Sequence, residues 1–171
     1  LYNSAAWKMY ESGTDLEKAQ EFARFASGHT KAEWEKAVAE NQPEKKIKPK
    51  KNIHGMYADT YAAVLLKAGK YEEGFAFAKE AAMTIAEGAN ATYNTIYAQL
   101  AEKVLPVSEY KPQLEKFVIE GKSGSEIKDI LKRIYVQKES SEEGFDNYIG
   151  ALEVEAKRKM RENLEKKMEN K

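Results

Sequence analysis

Apolar residues recur at spacings of three and four along most of the chain, which is the pattern of amphipathic helices. The clearest stretch is residues 56–86, with the sequence MYADTYAAVLLKAGKYEEGFAFAKEAAMTIA. Gly69 interrupts this stretch at a point where a helix C-terminus favours a residue that tolerates a positive φ angle. Alanines in both halves would let two helices approach closely. The stretch therefore predicts a pair of helices folded back on each other.

The same plan occurs earlier in the chain. Residues 3–26 align with residues 59–82, and Gly13 occupies the position of Gly69. A third unit begins at Ala91, and it loses the pattern near residue 106. Internal repeats of this length predict helical hairpins that stack on one another. We therefore predict an all-α fold of antiparallel helix pairs, with about seven or eight helices.

The pattern divides the chain into two regions. The first, residues 1–105, contains the repeats and an insertion at residues 30–53. In this insertion, Thr30 begins a short helix after an earlier helix stops near Gly28, and a solvated basic loop follows because prolines and lysines cluster there. The second region, residues 106–171, contains the C-terminal helices.

The last and longest helix is predicted at residues 140–169, and it leads toward a domain that is missing from this chain. Its C-terminal half is charged on most of its surface and carries one narrow apolar stripe. The stripe consists of Ala156, Met160, Leu164 and Met168. Because a stripe this narrow buries little area, we expect the helix end to project unless another domain or chain covers it.

Composition narrows the function classes. Hydrophobic residues make up 42% of the 171 residues and charged residues 33%, so a core beneath a charged surface is expected. The 28 basic and 28 acidic residues balance, which removes the general electrostatic argument for nucleic-acid binding. Cysteine is absent, which excludes disulfides and thiolate metal sites within this chain. No apolar run approaches the ~20 residues that a membrane-spanning helix requires.

Candidate chemical groups are sparse. His29 and His54 have no histidine, cysteine or acidic partner at a diagnostic ligand spacing, so we predict that both lie in loops or on the surface. The lysines of residues 45–51 have no aromatic residues among them that could stack on bases, so a solvated loop is favoured over a phosphate-binding site. Paired glutamates lie in first helical turns, where they complement the helix dipole. We predict a chain without catalytic residues, metal or cofactor.

Aromatic residues offer a better candidate for function. In helical repeat arrays the first helix of each pair lines a concave surface. Tyrosine and tryptophan next to an amide or a carboxylate suit peptide capture, because they combine apolar area with a polar group. The residues that this geometry selects are Trp7, Tyr10, Asp59, Lys67, Tyr93, Asn94 and Tyr97. The alternative is that the aromatic residues form the core, which we favour for Trp7 and leave open for the others.

Residues 56–86 also resemble a degenerate tetratricopeptide repeat. The matching residues are Ala62 at the close-packing position, Gly69 and Tyr71 around the turn, and Ala81 late in the second helix. Gly74 departs from the pattern, in which an alanine is usual, and no proline closes the repeat. The resemblance implies an array of helix pairs that binds a protein or a peptide.

The stretch from Leu114 to the C-terminus resembles the helical region that precedes a thioredoxin-like domain in cell-envelope thiol–disulfide oxidoreductases. Its landmarks are Tyr135-Val136, the Gly144-Phe145 step and the charged helix at 153–169. The resemblance implies a periplasmic or cell-envelope location and an appended redox domain as partner. The Cys-x-x-Cys pair of that domain does not occur here, so no catalytic residue is carried over.

The leading hypothesis is therefore a non-catalytic interaction or spacer domain of a thioredoxin-like oxidoreductase, of the disulfide isomerase kind. The alternative is a stand-alone tetratricopeptide-like adaptor that binds a peptide or a protein. Both hypotheses place the function on a helical surface and not in a catalytic centre.

Overall fold

The computed structural model describes residues 1–170, which form eight α-helices and no β-strand. Lys171, the last residue of the second predicted region, lies outside the described residues. The all-α prediction is confirmed, and the helices pack in pairs joined by short turns. The helices are α1 (Tyr2–Ser12), α2 (Leu16–Ala39), α3 (Glu44–Lys67), α4 (Tyr71–Lys79), α5 (Ala91–Val104), α6 (Val107–Ile119), α7 (Ser125–Glu139) and α8 (Phe145–Glu169).

The central element is α3, which packs against α1, α2, α4 and α5. Every residue of the stretch 58–65 is buried, including polar residues such as Asp59 and Thr60. A helix that is covered on most sides has no face on which a polar side chain can reach water freely. The polar groups of this stretch are therefore the first place to look for a site.

The predicted basic loop at residues 41–52 is wrong, because most of it is the first half of α3. Pro43 lies just before the first turn, where its missing amide hydrogen costs little. Pro49 lies inside the helix but on its exposed side. The lysines are good helix formers, and Lys50 pairs with Glu33 of α2 at 3.3 Å. The prolines of this segment indicated a loop, but tertiary contact with α2 stabilises it as a helix.

The predicted break between Gly28 and Thr30 is also absent, since α2 continues to Ala39. The Thr30 hydroxyl does not cap a new helix; it donates a hydrogen bond to the carbonyl oxygen of Ser27 at 3.0 Å. A glycine inside a helix costs only about 1 kcal/mol, and packing against α3 outweighs that cost. The predicted insertion at 30–53 is instead a long hairpin of the second half of α2 and the first half of α3.

A π-helical segment, Glu80–Ile85, continues α4. One more residue fits into each π turn, which changes the direction of the side chains that follow. Ile85 packs so closely on Gly55 that a Cβ atom built there would lie 2.8 Å from Ile85 Cγ2. The segment thereby joins the end of α4 to the middle of α3.

The second half of α8 is largely exposed. Phe145 and Ile149 are buried against the other helices, but the stripe farther along the helix is open to water. Met160, Leu164 and Met168 are 62%, 55% and 77% exposed. An ion pair at 2.7 Å between Lys159 and Glu120 holds the middle of α8 to the end of α6.

Gly74 explains the departure from the repeat pattern, because α4 there lies very close to α3 and α5. A Cβ atom at Gly74 would lie 3.0 Å from Leu100 Cδ2 and 3.1 Å from Leu65 Cβ. We expect Gly74→Val to lower the free energy of unfolding by about 2–3 kcal/mol, because overpacking forces the helices apart. Urea denaturation measures this loss.

Gly28→Val is the matched control for Gly74→Val. Gly28 is also inside a helix, but nothing lies within 4 Å of the position of its Cβ atom. We expect its effect to stay within about 0.5 kcal/mol. Equal losses in the two variants would show that the close approach at Gly74 is not what the helix pair requires.

Candidate functional site

The candidate site is the face of α3 between α1 and α5. Both helices pack on α3, but within residues 1–170 the backbones of α1 and α5 do not come close to each other. The side chains of α3 between them therefore form the floor, and side chains of α1 and α5 form the two walls. We call this the α3 groove; its residues are Asn3, Trp7, Tyr10, Asp59, Lys67 and Tyr93.

Asp59 is the most unusual residue of the groove. Its side chain is 6% exposed, and its Oδ1 atom has no hydrogen-bond partner. Burial raises the pKa of this carboxyl group from 3.8 to about 7, because the ionised form loses its hydration. A buried carboxylate without a partner is costly, and structural carboxylates usually have one.

The walls of the groove bring one tyrosine from each side toward Asp59. Burial raises the pKa of Tyr10 on α1, and the charges of Asp59 and Glu11 raise it further. Burial and the charge of Asp59 likewise raise the pKa of Tyr93 on α5. The carboxyl group of Asp59 on α3 is thus close enough to act on one tyrosine of each neighbouring helix.

Trp7 extends the aromatic wall on α1. Its ring lies 4.9 Å from the ring of Tyr10, measured between centroids, and both rings are partly buried. Both residues also pack against the main hydrophobic core. One part of the Trp7 side chain therefore packs on the core, and another part remains exposed at the groove.

Lys67 has a structural role at the end of the groove. Its ammonium group donates a hydrogen bond to the backbone carbonyl oxygen of Tyr10 and lies 4.8 Å from the centroid of the Tyr10 ring. The same carbonyl oxygen also accepts a hydrogen bond from the Gly13 amide at 3.2 Å, and a cation is favourable at this C-terminus of α1. The charge of Lys67, a residue of the predicted binding set, is therefore already used by the protein.

Asn94 and Tyr97 do not belong to the groove, which corrects the prediction for both. The Asn94 side chain is fully buried and donates hydrogen bonds to the carbonyl oxygens of Gly88 and Lys122, each at 2.9 Å. The Tyr97 ring is buried, with Phe75 at 5.5 Å and Phe117 at 5.8 Å between centroids. Both residues hold α5 to its neighbours.

His54 is part of a buried polar network, so the prediction of a surface position is wrong. The side chain is fully buried on α3. Its Nδ1 atom lies 3.0 Å from the Thr30 hydroxyl, and its Nε2 atom lies 3.2 Å from Glu80 Oε1. Lys31 pairs with the same carboxylate oxygen at 3.3 Å, and the Trp34 ring stacks on the imidazole.

The order threonine, histidine, glutamate resembles a catalytic relay, but its geometry favours a structural role. The Thr30 hydroxyl is buried and is within hydrogen-bond distance of the Ser27 carbonyl of its own helix. It is therefore not presented to a substrate, as a nucleophile must be. The network ties α2, α3 and the π-helical segment together. Sequence spacing gave no sign of it, because His54 and Glu80 are 26 residues apart.

Residues 1–170 contain neither a metal-binding cluster nor a membrane-spanning helix. No group of three or more histidine, aspartate or glutamate side chains in this range is arranged to hold a metal ion. Among the described helices, none combines the length and the hydropathy needed to cross a bilayer. The α3 groove combines a buried polar group with aromatic rings that are still partly exposed, on α1 and α5.

No family model, no curated protein and no solved structure matches the chain. The assignment of a function therefore depends on the geometry of the chain itself.

Proposed function

We propose that the chain is a non-catalytic helical module that binds a segment of another protein or a peptide in the α3 groove. The observation that supports this proposal most is Asp59, a buried carboxyl group whose Oδ1 atom has no partner and whose charge acts on Tyr10 of α1 and Tyr93 of α5. Aromatic side chains around a polar centre are typical of the residues that contribute most to protein binding. A bound segment would cover the partly buried rings of Trp7, Tyr10 and Tyr93.

The order of the helices supports a tetratricopeptide-like interpretation of this module. The first helices of the three pairs, α1, α3 and α5, lie side by side, with α2 packed on the first two and α4 on the last two. In helical arrays the side formed by the first helices is an extended binding surface. The α3 groove lies on that side.

The proposal is tested with peptides selected from a random displayed library on the wild-type protein. We expect Tyr93→Ala to raise the Kd of a selected peptide at least tenfold, because the variant removes the aromatic wall on α5. Isothermal titration calorimetry measures the Kd, and circular dichroism checks that the variant is folded.

Tyr71→Ala is the matched control for Tyr93→Ala. Tyr71 is a partly exposed tyrosine at the start of α4, outside the groove. We expect its substitution to change the Kd less than twofold. A selected peptide that binds Tyr93→Ala as tightly as the wild type, or a library that returns no binder, would contradict a binding role for the groove.

The exposed stripe of α8 favours a second candidate function, a spacer that precedes a thioredoxin-like domain in the cell envelope. An appended domain would cover Met160, Leu164 and Met168, which are open to water here. The test is the parent reading frame beyond Lys171. A thioredoxin-like sequence with a Cys-x-x-Cys pair is the expected result, and a frame without one would refute this second function while leaving the groove proposal intact.

A further inference from the structure

A second concave surface lies between the end of α6 and the second half of α8. This groove has a volume of about 390 Å³, and its α8 side carries Ala156, Met160 and Leu164 at four-residue spacing. Its other side is the turn after α6, at residues 120–122. Met160 and Leu164 are largely exposed, so a partner can reach their side chains. We call this surface the α8 groove.

The α8 groove is positively charged. Five charged residues line it, and four of them are lysines. The one carboxylate, Glu120, pairs with Lys159 at 2.7 Å. The other three lysines, Lys122, Lys157 and Lys167, form no ion pair with a carboxylate of residues 1–170. The groove therefore presents three cationic groups beside accessible apolar side chains.

The acidic residues of this half of α8 do not neutralise the groove. Glu155 and Glu162 both pair with Arg158. By the helical period, Glu165 and Glu169 lie on the side of α8 that faces away from the groove. A surface with uncompensated positive charge attracts an acidic partner and repels a basic one.

We propose that the α8 groove binds an acidic amphipathic helix of a partner protein. The apolar side chains of such a helix would pack between Met160 and Leu164, because rows of side chains four residues apart fit into the grooves of a second helix. Its carboxylates would pair with the three free lysines. The inference is independent of the α3 groove, since the two surfaces share no residue. It is an alternative to the appended domain, which would cover the same apolar side chains.

Two other occupants fit the α8 groove less well. A second copy of the chain would bring the same lysines face to face across a symmetric contact, which is repulsive. An anionic membrane would match the charge of the groove. However, a flat bilayer covers little of a concave surface, and membrane affinity scales with the apolar area that is buried.

The proposal is tested with a fluorescein-labelled helical peptide that has leucines four residues apart and glutamates on both flanks. Fluorescence polarisation measures its Kd. We expect saturable binding, and at least tenfold weaker binding of the same peptide with lysines in place of the glutamates. Lys157→Glu combined with Lys167→Glu should raise the Kd of the glutamate peptide at least tenfold. The matched control is Lys45→Glu combined with Lys48→Glu, which makes the same charge change at exposed positions of α3 and should change the Kd less than twofold.

The apolar part of the contact is tested by two substitutions on α8. Leu164→Ser should raise the Kd of the glutamate peptide at least fivefold, because it removes an apolar side chain from the groove. The control is Val154→Ser, since Val154 is an exposed apolar residue of the same helix that does not line the groove. Equal Kd values for these two variants would contradict binding in the α8 groove.

The remaining outcomes separate the possible occupants. If the glutamate peptide does not saturate, or binds the double variant at Lys157 and Lys167 as tightly as the wild type, the acidic helix is refuted. In that case, binding to phosphatidylglycerol vesicles that Leu164→Ser abolishes would assign the groove to a membrane surface. A dimer in sedimentation equilibrium that Leu164→Ser dissociates would assign it to a second copy. None of these results changes the test of the α3 groove at Tyr93.

Discussion

Asp59→Asn is expected to raise the free energy of unfolding at pH 8 by about 2–4 kcal/mol. The pKa of Asp59 is 3.8 in an unfolded chain and about 7 in the folded protein. Above pH 7 the carboxyl group is ionised in both states, and the folded state carries the full cost of a buried charge. Below about pH 4 it is protonated in both states, and the cost disappears. Wild-type stability contributed by this group therefore falls as pH rises between those values.

Urea denaturation at pH 8 and pH 5 measures this effect as a difference between the variant and the wild type. We expect the advantage of Asp59→Asn to shrink by about 2–3 kcal/mol at the lower pH, because the wild-type carboxyl group is then mostly protonated. The control is Asp129→Asn on α7, which removes an exposed carboxylate. If the gain in free energy of unfolding for Asp59→Asn is the same at both pH values, ionisation of Asp59 does not destabilise the folded protein.

A residue that destabilises the free protein indicates a role beyond folding. Positions that break the rules of a well-packed core, such as an unpaired buried charge, are found where a protein binds or reacts. If Asp59→Asn gains stability and also weakens the binding of a selected peptide, the two measurements identify the same group as costly in the free protein and useful in the complex.

His54→Ala is expected to lower the free energy of unfolding by about 3 kcal/mol or more. The substitution leaves a cavity beside Trp34 and removes the partner of two polar groups, the Thr30 hydroxyl and the Glu80 carboxylate. For a chain of this size we expect the thermal midpoint to fall by roughly 6–12 °C, which differential scanning calorimetry measures.

The matched control for His54→Ala is the other histidine of the chain. His29 lies on α2 with its side chain exposed, so His29→Ala should move the midpoint by no more than about 2 °C. Similar falls in the thermal midpoint of the two variants would contradict a stabilising role for the His54 network. A larger fall for His54→Ala than for His29→Ala would show that the hydrogen bonds joining α2, α3 and the π-helical segment are among the main stabilising contacts.

The sequence predicted the helices where one local signal was strong. Periodic apolar residues and Gly13 and Gly69 at turns located α1 and the boundary between α3 and α4. It failed where a local signal competed with tertiary packing. Pro49 and the lysines around it indicated a loop, and Gly28 indicated a helix end, yet α2 and α3 stabilise each other through both segments.

The candidate site was predicted in part for a similar reason. Helical spacing placed Trp7, Tyr10, Asp59 and Tyr93 on neighbouring faces, because residues on first helices of successive pairs point to one side. The same spacing could not separate Asn94 and Tyr97 from them. Their side chains have partners in the loop after α6 and on α4 and α6, which lie far away in the sequence.

By itself, the sequence determined that this protein is helical and which residues lie on the same face of each helix, since both depend on the 3.6-residue period of the backbone. Only the tertiary structure decided which of those faces meet. Burial of Asp59 without a partner, and of His54 with two, depends on helices brought together from distant parts of the chain. No spacing along the chain encodes that difference, and the candidate function of the groove follows from it.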